Sequence, residues 1–148
     1  MDNNNLTIKL EEVNLSNPAI YKYKVLAEQT LNDQYFTYFQ KRDPLEAIKN
    51  HRRTILLLID DNIAGYYHLD IDSSKTWFGI YIAKKFQGKG FGKLLLKDAQ
   101  NFALKDEADL YVSVSIKNTW AFMMFKKMNF DAISTVNEKI FMRWLWNT

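Results

Sequence analysis

Near the middle of the sequence stands Phe86-Gln87-Gly88-Lys89-Gly90-Phe91-Gly92-Lys93, followed by the leucines Leu94, Leu95 and Leu96. Only five glycines occur in 148 residues, and three of them fall here. Glycine weakens helices and strands, so this crowding at the mouth of an apolar helix marks a tight turn or a ligand that approaches the backbone closely. The chemistry it suits is anion binding. The first amides of a helix have no intrahelical partner, and the helix dipole adds partial positive charge there, which is where phosphates settle. Gly88, Gly90 and Gly92 would leave that approach bare, and Lys89 and Lys93 would add charge. Two familiar phosphate loops fail on counting. The dinucleotide fingerprint G-x-G-x-x-G needs glycine where Lys93 or Leu95 stands, and the P-loop needs a hydroxyl residue at Leu94 and glycine at Gln87. What remains is Gln87-x-x-Gly90-x-Gly92.

A second group of residues suits proton transfer. His68 and Asp70 lie at i and i+2 in an extended stretch, so their side chains share one face, with Asp72 just beyond. The plainer uses are a partly buried strand histidine and aspartates in turns. His51 and His68 do not form a ligand cluster with spaced acids, and cysteine is absent, so no metal site, disulfide or thiol nucleophile is expected. Tyr35, Phe36, Tyr38, Phe39, Tyr66 and Tyr67 offer rings that enclose a sugar or a cationic amine, or that fill a core.

The length suits one domain, residues 1–148. Apolar residues at 47% and charged residues at 25% are those of an ordinary globule. The net charge of +3 is mild, and the lysines are scattered, so a local anion fits better than a long polyanion and no nucleic-acid partner is expected. The opening MDNNNLTIKL lacks a signal-peptide pattern, and the aliphatic run at 55–59 is too short to cross a bilayer. The expected location is cytoplasmic, with no membrane partner.

Around these residues the periodicity alternates between strand and helix. Residues 6–10 read as a strand. Asn17 as N-cap and Pro18 at the first position open a helix carrying Ile20, Tyr23, Leu26 and Ala27. A short helix is expected over 33–40, and another over 45–51 after Asp43-Pro44. Strands follow at 54–59, 63–70 and 76–82, then a long helix at 90–108, a strand at 110–116, a helix at 118–128, and strands at 130–136 and 139–146. The class is α/β (α+β): a mixed, mostly antiparallel sheet of six to seven strands with helices on both faces. The long helix crosses between two parallel strands.

Placed between a strand and a long helix, Gln87-x-x-Gly90-x-Gly92 resembles the acetyl-CoA signature Gln/Arg-x-x-Gly-x-Gly/Ala of the GCN5-related N-acetyltransferase (GNAT) superfamily. Downstream, Asn118-x-x-Ala121-x-x-x-Phe125-x-x-x-Asn129-Phe130 is similar to that family's Asn-x-x-Ala-x-x-x-Tyr-x-x-x-Gly-Phe. The element order matches over nearly the whole chain. The resemblance implies the GNAT fold, in which the parallel pair splays and the pantetheine arm of acetyl-CoA enters the gap like an added strand. It assigns the backbone of Ile80, Tyr81 and Ile82 to that arm, with an N–H near Ile82 facing the thioester oxygen in an oxyanion-type contact. It assigns Gln87, Gly88, Lys89, Gly90, Phe91, Gly92 and Lys93 to the diphosphate, and Asn118 to the arm from the far side, although Asn118 also suits a helix N-cap. The implied activity is direct transfer of acetyl from acetyl-CoA to an amine, without a metal. The acceptor is left open among a small amine, an amino sugar (nucleotide-linked ones included) and a protein amine.

Two departures bear on that reading. Phe125 stands where the family has tyrosine, beside the sulfur, and cannot donate a proton; a thiol pKa of about 8.5 makes thiolate a tolerable leaving group without it. Asn129 replaces glycine mildly, since asparagine tolerates the left-handed conformation after a helix. The strand at 76–82 carries no acid, which leaves His68 and Asp70 as candidate bases for the attacking amine. The missing tyrosine motivates an alternative, an acyl-CoA-binding module with little or no turnover. The aromatic C-terminal strand, with Trp144 and Trp146, is a surface on which a homodimer could form.

Overall fold

The computed structural model describes residues 5–148. Among these, Ile8–Glu12 (β1), His51–Ile59 (β2), Asn62–Asp72 (β3), Lys75–Ile82 (β4), Leu110–Ser115 (β5), Asp131–Val136 (β6) and Lys139–Trp144 (β7) form one seven-stranded sheet in the order β1-β2-β3-β4-β5-β7-β6. Every neighbouring pair is antiparallel except β4 and β5. The helices are Ala19–Gln29 (α1), Pro44–Ala47 (α2), Phe91–Lys105 (α3) and Thr119–Lys127 (α4). Three hairpins turn on paired left-handed residues: Asp60 and Asp61, Ser73 and Ser74, Asn137 and Glu138. Such turns match the twist of antiparallel strands.

The sheet separates two apolar layers. On one face Leu95, Ala99 and Ala103 of α3 and Phe125 of α4 pack against Leu57, Tyr67 and Phe78. On the other, Tyr23, Leu26 and Ala27 of α1 pack against Leu56 and Tyr66. Strands β2 and β3 are therefore covered on both sides, as the unbroken aliphatic run at 54–59 leads one to expect.

Several expectations are corrected. No helix forms over 33–40. Two 3-10 turns, Thr30–Asn32 and Tyr38–Gln40, flank a loop in which Asp33 Oδ2 accepts the N–H groups of Tyr35 at 3.0 Å and Phe36 at 2.8 Å. The aspartate side chain offers those amides an alternative to the helix. Asn17 does not cap α1 with its side chain, whose Nδ2 donates to the Glu12 carbonyl at 3.0 Å instead. Asp43 does cap α2, accepting from Glu46 N–H at 3.1 Å. The helix expected over 45–51 is one α turn and a 3-10 turn, and His51 already belongs to β2. Trp144 is buried and Trp146 is half-buried against the same core.

Candidate active site

The parallel pair is short. β4 and β5 are in register only at Thr76 with Leu110 and Trp77 with Tyr111, and beyond that they part. Hydrogen-bond parity fixes what β4 offers to the opening. Ala83 N–H donates to the Ala64 carbonyl at 2.8 Å, and Ile82 is opposite Gly65. Antiparallel pairs alternate between bonded and non-bonded, so the backbone groups of Tyr81 turn toward Tyr66 on β3, whereas those of Ile80 and Ile82 turn away from β3 toward the gap. A cavity of about 690 Å³ fills that gap, walled by Gly79, Ile80, Tyr81 and Ile82 on one side and by Val112 to Ser115, Asn118 and Phe125 on the other.

A second cavity, of about 480 Å³, lies over the glycine stretch and is lined by Gln87, Gly88, Gly90, Phe91, Gly92 and Lys93, with Trp120, Met123 and Lys127 of α4 opposite. The two cavities share Ile82, Gln87, Gly88 and Trp120 and so form one groove. Gly88 and Gly90 have φ of 76° and 88°, with open space where a Cβ would stand. They let the chain enter α3 while its first amides stay uncovered; the N–H of Leu94 is bonded back to the Gly90 carbonyl at 3.2 Å. Gly92 has a different reason. A Cβ there would meet Met124 Sδ and Trp120 Cη2, each at 3.0 Å, so this glycine admits α4 rather than a ligand. Gln87 fastens the loop to the strand end, its Nε2 donating to the Ile82 carbonyl at 2.9 Å. Lys93 lines the groove, and Lys89 lines neither cavity.

Phe125 is buried, edge-on to Phe78 at 6.0 Å and 5.2 Å from Phe130, with one side on the gap. Its apolar neighbours explain how phenylalanine is accommodated where the family pattern has tyrosine. Asn118 caps α4, its Oδ1 accepting from Ala121 N–H at 3.3 Å, while also lining the gap. Asn129 is left-handed with φ of 72°, as its position after α4 requires.

His68 and Asp70 line neither cavity. Instead the structure gathers His51, His68 and Asp70 into a cluster with ligand atoms within 4.8 Å of one another. That corrects the expectation that the histidines have no acid beside them: the β2–β3 register sets His51 opposite Asp70. The groups are already engaged. Tyr38 Oη donates to Asp70 Oδ2 at 2.9 Å and lies 2.9 Å from His51 Nε2, while His51 Nδ1 meets Thr54 Oγ1 at 2.7 Å. With one phenolic proton given to Asp70, His51 donates from Nε2 and accepts from Thr54. His68 Nδ1 is paired with Tyr66 Oη. Burial holds both imidazoles neutral, lowering His51 to about 4 and His68 well below its ordinary value. Burial raises Asp70, against the opposing hydrogen bond from Tyr38. The aromatic side chains divide as well: Tyr67 lies in the core and donates to Asp98 Oδ2 at 2.5 Å, whereas Tyr35 and Phe36 reach the groove.

The sequence matches the profile of the Acetyltransferase (GNAT) family over residues 18–130. The chain belongs to the GNAT acetyltransferase family. Its fold recurs in solved acetyltransferases. The PaiA N-acetyltransferase of Thermoplasma acidophilum, in complex with coenzyme A, aligns with a TM-score of 0.74 at 17% identity, covering 94% of this chain and 99% of that one. A phosphinothricin acetyltransferase of Sinorhizobium meliloti, in complex with acetyl-CoA, aligns at 0.75 and 13%, covering 94% and 88%. The spermidine N-acetyltransferase of Vibrio cholerae, a dodecameric structure, aligns at 0.73 and 17%, covering 95% and 94%. At these identities the likeness speaks for the fold. Among curated proteins none matches the sequence significantly. As a GNAT acetyltransferase, the chain uses acetyl-CoA as donor. Among the described residues no helix is long and apolar enough to cross a membrane.

Sequence reasoning missed Asp33, Phe86, Trp120, Met123 and Lys127 in this GNAT groove. Trp120 and Met123 carried a signal, since both remain about half exposed on a helix whose apolar face is otherwise spent on the core. Asp33 was hidden by the helix expected around it.

Proposed function

We propose that this GNAT protein transfers acetyl from acetyl-CoA directly to the amine of an acceptor, in a ternary complex. The carrying observation is the continuous groove, which joins uncovered helix amides at one end to the free strand edge of β4 at the other. The diphosphate is held by the backbone of residues 87–93, with Lys93 adding charge and the dipole of α3 aiding it. Lys89, which lines neither cavity, contributes at longer range. Trp120 and Met123 give the adenine an apolar wall. The pantetheine arm lies in the gap and pairs with Ile80 and Ile82, while Tyr81 contributes its ring; Asn118 and Phe125 bound the arm from the far side. The Ile82 N–H faces the thioester oxygen.

The neutral amine attacks the thioester carbonyl, the charge that develops on oxygen is met by the Ile82 N–H, and the C–S bond breaks. Coenzyme A leaves as thiolate and takes its proton from water, since Phe125 has none to give. The amine's proton departs to water, since His68 and Asp70 line neither cavity and burial disfavours a proton on His68.

The test is thiol release from acetyl-CoA across a panel of small amines, amino sugars and lysine peptides. Release that depends on one amine class supports transfer. Tight acetyl-CoA binding without release on any amine makes the protein an acyl-CoA-binding module instead.

A further inference from the structure

Among the described residues, those lining the groove include a single carboxylate, Asp33, and no histidine. Asp33 stands on the loop that walls the gap opposite β5, and it is half-buried. Both of its backbone hydrogen bonds fall on Oδ2, from Tyr35 and Phe36 N–H. Oδ1 accepts none among the described residues and is free for a ligand.

Three rings line the same cavity as Asp33. Tyr35 and Phe36 follow in the same loop, and the Phe36 ring lies 5.9 Å from that of Tyr81. The Tyr81 phenol is pushed up first by burial and then by the charge of Asp33, which places the carboxylate within electrostatic reach of the strand that presents the Ile80 and Ile82 amides. The loop is tied down across the groove, with Tyr35 Oη donating to the Lys117 carbonyl at 3.3 Å. The other charged group of this cavity, Lys84, opens the turn that leads to the glycine stretch, on the diphosphate side. One acid among aromatic faces, in no ion pair among the described residues, is a receptor for an ammonium group.

We propose that Asp33, with Tyr35, Phe36 and Tyr81, is the subsite that receives the acceptor, and that it selects cationic amines over amines carrying a phosphate or carboxylate. This rests on the acetyl-transfer reading of the groove. Asp33 acts here as a binding and specificity residue. It draws the protonated amine beside the thioester, and proton loss precedes attack.

The experiment is calorimetric titration of two probe amines, spermidine and glucosamine 6-phosphate, into protein saturated with coenzyme A. Asp33→Asn keeps an oxygen that accepts the two loop N–H groups but removes the charge; Asp33→Glu keeps the charge. Spermidine is expected to bind the wild type more tightly than glucosamine 6-phosphate, to lose about tenfold in affinity in Asp33→Asn, and to recover most of it in Asp33→Glu. Equal spermidine affinity in wild type and Asp33→Asn, or preference for glucosamine 6-phosphate, overturns the proposal. Coenzyme A affinity, read first in the same titration, is expected to be the same in all three proteins. Its absence from the wild type would count against the acetyl-transfer reading, separately from Asp33.

Discussion

The imidazole of His68 occupies the space that a side chain at position 79 would need. The two residues face each other across β3 and β4, and a Cβ on Gly79 would stand 2.4 Å from His68 Cε1 and 2.6 Å from Nε2. Neither partner can yield easily, because the ring is also stacked on His51 at 4.7 Å and packed on Tyr38 at 4.2 Å. A glycine in the middle of a strand, otherwise a weakness, is here the seat of a buried histidine.

Gly79→Ala should therefore destabilise the protein by overpacking, at a cost of about 1–3 kcal/mol. Thermal unfolding would show a midpoint lowered by roughly 3–10 °C. Adding His68→Ala should recover part of the loss, a non-additivity expected of residues in contact. An unchanged midpoint in the single variant would show that the ring moves freely.

The glycines of the loop should separate by phenotype. Gly90→Ala forces alanine into the left-handed region at φ of 88°, which costs about 1–2 kcal/mol and turns the first amides of α3. Its main effect should fall on coenzyme A affinity. Gly92→Ala instead presses on Met124 and Trp120 and should fall mainly on thermal stability. Calorimetric Kd and Tm measured on both variants check this, and the same profile for both would refute the division of roles.

That division also shows what the sequence could and could not reveal. Strand and helix order was legible because hydrophobic period follows burial, and β2, β3 and α3 are strongly patterned. The loop around Asp33 was not, because its side chain captures Tyr35 and Phe36 N–H and defeats a locally helical pattern. The glycine motif was legible as a motif, but the separate reason for Gly92 lies in the packing of α4, which is distant in sequence. The His51–Asp70 contact is set by strand register, and no spacing along the chain announces it.

Trp120 is 54% exposed beside the glycine loop. If it walls the adenine, Trp120→Ala should weaken coenzyme A binding by about 1–3 kcal/mol, the usual worth of a base stacked on an aromatic ring. Coenzyme A should also quench the tryptophan fluorescence of the wild type, and most of that quench should vanish in the variant. Equal quenching in both proteins would move the adenine elsewhere.

Acid should destabilise the fold through its two histidines, His68 buried and His51 half-buried. The folded pKa of His51 is lowered to about 4, by burial first and then by the charge of Arg42, and His68 shifts the same way. In the unfolded chain both return to about 6.5. Between those values the unfolded state binds protons that the folded state refuses, so stability is full above the unfolded value and drains as pH falls through the window. His51 alone accounts for about 3 kcal/mol over the whole window, and the raised Asp70 offsets part of this at the acid end. Urea unfolding at pH 7.5 and pH 5 should show the loss, and His51→Asn should flatten it. A pH-independent unfolding free energy would contradict the burial of neutral imidazoles.

The groove is tested most directly by a crystal structure with acetyl-CoA bound. The diphosphate should lie about 3 Å from backbone N–H groups of residues 88–93, the arm should run beside Ile80 and Ile82, and the thioester oxygen should face the Ile82 N–H. A diphosphate seated away from the glycine loop, or an arm outside the gap between β4 and β5, would contradict the account.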